Sequence, residues 1–136
     1  MEKEENPQLE KYKEELAIDS KIDLANILEK SLSVTAIVSK WIVYRQNEIA
    51  NIDKINSIIQ QLLKSRMETQ GATSVLRLKS EDHLMSNDEK LIKLKKLKKN
   101  SEECKDFIEM SLNNLKNMVW QIKETVKILE LQGYHA

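Results

Sequence analysis

Residues 108–129 read IEMSLNNLKNMVWQIKETVKIL, and the apolar positions Ile108, Leu112, Leu115, Val119, Ile122, Val126 and Leu129 fall at spacings of 4, 3, 4, 3, 4 and 3. A stripe with this seven-residue repeat keeps to one side of an α-helix, and about three heptads of it make the pattern of helices packed side by side. Phe107, Met118, Trp120 and Leu131 mark a second apolar face. A helix with two such faces needs neighbours on both sides. In a chain of 136 residues the second neighbour is expected to be another subunit, with the heptad stripe as the association surface. Ser86-Asn87-Asp88-Glu89 has the form of a capping box opening this helix, and Gly133 stands where it would close.

Upstream, Ser20-Lys21-Ile22-Asp23 reads as another capping box, and no Gly or Pro interrupts the chain from there to Thr69. Apolar residues recur at helical spacing through Leu28, Leu32, Val38, Trp41, Ile42, Ile49, Ile52, Ile55, Ile59, Leu62 and Leu63. Fifty helical residues would span about 75 Å, so a break near Ser31–Thr35 or a projecting helix is expected. Pro7 suits the first turn of a short helix to about Glu15, whose thin stripe of Leu9, Tyr12 and Leu16 predicts a mobile or late-docking segment. The expected organisation is all-α: one domain over 1–136, with long antiparallel helices and a C-terminal heptad helix that mediates homo-oligomeric, ring-like assembly. Its parts are a short acidic helix at 1–19, one long helix or two at 20–70, a loop at 71–86 and the association helix at 87–133.

Composition agrees: charged residues make up 32% and aromatics 4%, with two Gly and one Pro, which suits long helices and starves sheets. Acids and bases balance, yet they are not evenly spread. Lys90–Asn100 holds six lysines and no acid, whereas Glu81–Glu89 holds four acids and no base. Such blocks suit pairing between protomers as well as contact with a polyanion. Cys104 is the single cysteine, so no intrachain disulfide forms, which fits a reducing compartment. The first fifteen residues lack the apolar core of a signal peptide, and no stretch reaches the roughly 20 apolar residues of a membrane span. A soluble protein of the cell interior is expected.

No catalytic pattern emerges. His83 and His135 are isolated, and HExxH, CxxC, GxSxG and P-loop patterns are absent. Acid pairs such as Glu102-Glu103 read as solvated helix surface, and Cys104 beside the apolar stripe reads as a buried thiol. No enzyme, cofactor or metal site is expected. In EKLIKLKKLKK, residues 89–99, Leu91, Leu94 and Leu97 take one flank, while lysines including Lys93 and Lys96 take the rest. That run is a solvated amphipathic face, a phosphate-binding face or a membrane-surface helix; the last ranks lowest because Trp and Phe are missing from it. Lys64 and Arg66 pose the same choice. A helix macrodipole favours cations near its C-terminal end by about 0.3–1 kcal/mol, which would suffice to place them. Two positions apart, they point about 200° from one another and reach one strand only if the helix frays.

Three short motifs narrow that choice: Ile18-Asp19-Ser20, Ser39-Lys40-Trp41 followed by Ile42, and Leu63-Lys64-Ser65-Arg66-Met67. With them the chain resembles the UvsY family, the recombination mediator proteins of T4-like phages, over most of its length after Glu14. The third motif reads Leu-Lys-Ala-Arg-Leu in the family, and the separation from Trp41 to Lys64 is the family's. The resemblance implies homo-oligomeric rings, hexameric or heptameric, that act in the cytoplasm of the infected host. Such rings bind and restructure single-stranded DNA, weaken the hold of a single-strand binding protein and help a RecA-like recombinase nucleate. It implies DNA-binding roles for Lys64 and Arg66. The segment between Ser20 and Ser39 is about one helical turn longer than the family's. Glu68-Thr69-Gln70 stands where the best-known member of the family has tyrosines, with Arg77 and Lys79 as candidates to compensate. The competing class is a helical scaffold or interaction protein without a nucleic-acid role.

Overall fold

A computed structural model describes residues 5–70 and 83–133. Helices α1 (Pro7–Asp19), α2 (Ile27–Gln70) and α3 (Glu89–Leu131) account for most of them, and a single helical turn at 83–87 precedes α3. No strand occurs among the described residues, so the fold is all-α. Among those residues no helix is long and apolar enough to cross a membrane. The chain forms two compact units. The first takes α1, α2 as far as Gln46 and α3 from Cys104 onward; the second takes Asn47 to Glu103.

The helix ends depart instructively from the sequence-based expectation. Asn6 caps α1, its Oδ1 accepting the Leu9 amide at 3.3 Å, and Pro7 fills the first turn. This helix runs four residues past Glu15 to Asp19. Ser20, expected to open the next helix, instead closes this one: its hydroxyl and its amide both donate to the Leu16 carbonyl. The reciprocal box lies three residues later. Asp23 Oδ1 accepts the Asn26 amide at 2.9 Å, while Asn26 Oδ1 accepts the Asp23 amide at 2.8 Å, so Asp23 is the first member of a box and not the last. From Ile27, α2 continues through 31–35 without a break, as one long helix and not two, both of which the sequence left open. Ser31 and Ser33 turn their hydroxyls onto the carbonyls of Leu28 and Lys30, which keeps them compatible with the helix. At α3 the cap is Asp88 and not Ser86, with Oδ1 accepting from the amides of Lys90 and Leu91. Residues 83–86, expected to be loop, lie in the helical turn. Gly133 closes α3 at φ 77°, in the left-handed region that glycine enters freely.

In the first unit α2 and α3 run antiparallel, with Arg45 paired to Glu109 at 3.0 Å and Trp41 packed edge-on against Phe107. The heptad stripe is spent here. Ile108, Leu112, Leu115 and Ile122 are buried inside their own protomer, and Val119, Val126 and Leu129 pack half-buried at the edge of the same core. These four side chains face the core of their own protomer: Ile108 is fully buried, and Leu115 and Ile122 are 1% exposed. Each such side chain contributes about 1.5–3 kcal/mol to folding. The neighbour for the second apolar face is in part α1. Its Tyr12 is buried, with Leu9 and Leu16 against the core that also takes Met118 and Phe107, so this helix is docked. Trp120 and Leu131 remain exposed, at 65% and 87%.

The second unit has its own core of Ile55, Ile59, Leu63, Leu84 and Leu91, flanked by Leu62, Met67, Met85 and Leu94. Its α2 and α3 segments are again antiparallel, fixed by Asn51 donating to Ser101 at 2.6 Å and Arg66 to Asp88 at 3.1 Å.

Candidate nucleic-acid interface

All the described cations of interest lie in the second unit. Its α2 segment buries Ile55, Ile59 and Leu63, which turns Lys64 to the solvent side. Arg66, two residues on, lies on the flank that faces α3. The helix does not fray at this point; it stays intact to Gln70, so the two cations point to different sides. Arg66 Nε donates to Asp88 Oδ2 at 3.1 Å, and its side chain keeps 41% of its surface open. Asp88 is thereby gripped twice, one oxygen by the first amides of α3 and the other by a guanidinium from α2. The Leu91 amide, the Arg66 charge and the Lys90 amide hold its carboxyl below the usual range against the cost of desolvation, so it is ionised at neutral pH.

The antiparallel pairing places Lys64 level with the first turn of α3, where the lysine run begins. Lys93 and Lys96 are exposed and about 60° apart on one helix face. Lys90 and Lys95 are also exposed. The apolar flank differs from the expected Leu91, Leu94, Leu97 row. Leu91 is fully buried and Leu94 packs beside it, but Leu97 is 53% exposed. Lys98 takes the place at the core edge and pairs with Glu102 at 3.8 Å. The reason is the repeat itself: continued backward from Ile108, it passes through Ser101, Lys98, Leu94 and Leu91 at spacings near 3.5, not 3. Arg77 and Lys79 lie outside the described residues.

Two of the three short motifs meet in the first unit. Asp19, buried at the end of α1, accepts from Trp41 Nε1 at 2.8 Å and from Lys40 Nζ at 2.7 Å on the same oxygen. Tyr44 donates its hydroxyl to Glu15 at 3.0 Å, and Lys40 lies 3.7 Å from that carboxylate. Tyr12, Trp41, Tyr44 and Phe107 stack around the knot with centroids 5.3–6.5 Å apart. Burial works against the Lys40 charge, but the hydrogen bond and charge of Asp19, with Glu15 behind it, raise its pKa overall. Burial and the bond to Glu15 likewise raise the Tyr44 hydroxyl. These motif residues therefore clasp α1 to α2; their chemistry is spent on the fold. Cys104 is buried too, its thiol 3.7 Å from Asn6 Oδ1.

A family model described as "Recombination, repair and ssDNA binding protein UvsY" matches residues 15–133. The chain belongs to the UvsY family. The match spans the α1–α2 clasp, Lys64, Arg66 and the whole of α3. Among solved structures, the bacteriophage T4 recombination mediator protein UvsY superposes with a TM-score of 0.75, covering 91% of this chain and 98% of that one. At 19% identity this likeness is one of fold. No curated protein sequence matches the chain. Asp88 is the residue of this candidate interface whose contact with Arg66 the sequence-based reading missed. Its only sign was an acid at the head of a lysine-rich helix, and helix caps commonly look like that.

Proposed function

We propose that this protein is a single-stranded-DNA-binding recombination mediator that remodels the strand and promotes loading of a RecA-like recombinase against a single-strand binding protein. The observation that carries the reading is membership of the UvsY family over residues 15–133. The second unit supports it. Lys64 and the solvent face carrying Lys93 and Lys96 offer phosphate contacts, Arg66, on the other side of the unfrayed helix, offers a braced guanidinium at a separate point of the strand's path, and Arg77 and Lys79 join them as candidates. Phosphates are alike, so such contacts hold a strand without reading its sequence. A few of them per protomer bind weakly. A homo-oligomeric ring, hexameric or heptameric, repeats them along one strand and gains through effective concentration. Wrapping on that ring bends the strand, which loosens a rival protein and frees a stretch for the recombinase.

The proposed association surface in the first unit is the part of α3 left uncovered: Trp120, Ile128 and Leu131, with Val119, Val126 and Leu129 at its margin. A shallow groove beside Trp120, lined by Ser31, Thr35 and Val126, adjoins it. The experiment follows recombinase nucleation on oligo-dT precoated with the phage's single-strand binding protein, with and without this protein. Shortened nucleation lags are expected. Tight, salt-sensitive DNA binding without any effect on the lag would restrict the role to binding. Absence of DNA binding would leave a helical interaction protein.

A further inference from the structure

Asp88 stands among the cations of the second unit, and a carboxylate there works against binding a polyanion unless it does something for them. Its geometry says what. Oδ1 is committed to the amides of Lys90 and Leu91 at 3.0 and 3.2 Å, so the carboxylate is fixed to the start of α3. Oδ2 meets Arg66 through Nε at 3.1 Å. A guanidinium has five donors in one plane, and a contact through Nε leaves the four on its terminal nitrogens for another acceptor. Arginine carries about 2 kcal/mol of rotamer entropy, and a brace at Nε removes part of that cost before any strand arrives.

We infer that Asp88 is a positioning residue for DNA binding: it holds the Arg66 guanidinium across from α2 to the head of α3, with its terminal nitrogens turned to a phosphate. The opposite possibility, a carboxylate that occupies the phosphate's place and must be displaced, fits the contacts less well. Swinging Asp88 aside would uncap α3, whereas a phosphate meeting the terminal nitrogens requires no displacement. The ion pair also offsets the Arg66 charge, so Arg66 acts by directed hydrogen bonds more than by counterion release. The salt dependence of binding then falls mainly to Lys64 and the α3 lysines.

This inference rests on the proposed DNA-binding function, and its test separates the two. Asp88→Asn keeps a capping oxygen, since asparagine caps as well as aspartate, but turns an amide that cannot accept toward Arg66. Removing an acid would on charge alone tighten DNA binding. Loss of the brace should instead weaken the affinity for oligo-dT by about tenfold, the order of one charge-assisted hydrogen bond, with helicity and oligomer mass unchanged. Asp88→Ser, which caps without reaching Arg66, should do the same. In an Arg66→Ala background neither change should weaken binding further. If Arg66→Ala weakens binding while Asp88→Asn leaves it unchanged or tightens it, the positioning role is wrong and the DNA-binding reading stands. If wild-type protein does not bind oligo-dT, the function itself has failed.

Discussion

Asp19→Ala removes the acceptor that joins α1 to α2, and the structure sets the size of the effect. Trp41 is fully buried, so its indole N–H would be left without a partner in a place water does not reach. An orphaned buried donor costs about 1–3 kcal/mol. Lys40 loses its 2.7 Å partner but keeps Glu15 at 3.7 Å, and at 36% side-chain exposure that change adds at most about 1 kcal/mol. The sum is about 1–4 kcal/mol. For a chain of this size a kilocalorie moves the melting temperature by about 3–5 °C, giving a drop of about 3–20 °C. Asp19→Asn, which keeps an oxygen for the indole and loses the charge, should cost less than half of that. The assay is thermal unfolding followed by Trp41 fluorescence in a Trp120→Phe background, which silences the exposed indole. A shift below 1 °C for Asp19→Ala would refute the claim that the motif residues of α1 and α2 form a clasp.

Other outcomes follow from the same structure. Trp120→Asp should dissociate the assembly into folded protomers, seen by sedimentation with circular dichroism unchanged, whereas Ile122→Asp buries a charge and should unfold the first unit, costing more than about 4 kcal/mol. The raised pKa values of Lys40 and Tyr44 make their contribution to stability fully present below about pH 10 and lost as pH rises through the higher folded values. Urea midpoints should therefore fall as the pH is raised above about 10, by less in Lys40→Met. The lowered Asp88 value works in the other direction, its contribution present above about pH 4 and lost as pH falls through the folded value. Lys93→Ala with Lys96→Ala should weaken oligo-dT binding and flatten its salt dependence without altering oligomer mass; an unchanged slope would make that run a solvated face.

The all-α class and the α3 stripe were legible because a seven-residue repeat survives any tertiary context. The repeat does not say whose side chains fill it. Ile108, Leu115 and Ile122 lie in a core to which Tyr12 and its neighbours on α1 add a third helix, which their thin stripe gave little sign of. Capping was legible in kind and misplaced in register. Ser20 and Asp23 have side chains that bond local backbone at either end of a helix, so their presence marks a boundary without giving its direction. Lys64 and Arg66 were visible as a pair through the family motif. That Arg66 turns inward to Asp88, 22 residues on, depends on the antiparallel docking of two helices, which no local pattern encodes.

The central claim is that scattered cations become a firm hold on a strand when an assembly repeats them. Its most direct test is the slope of log Kd against log salt for fluorescent oligo-dT, measured with wild type and with Lys64→Ala at matched oligomer mass. Each lost phosphate contact on single strands should reduce the slope by about 0.7, so the change should be a multiple of that value set by the number of copies engaged. A slope near zero in wild type, or one that Lys64→Ala leaves untouched, would contradict the account.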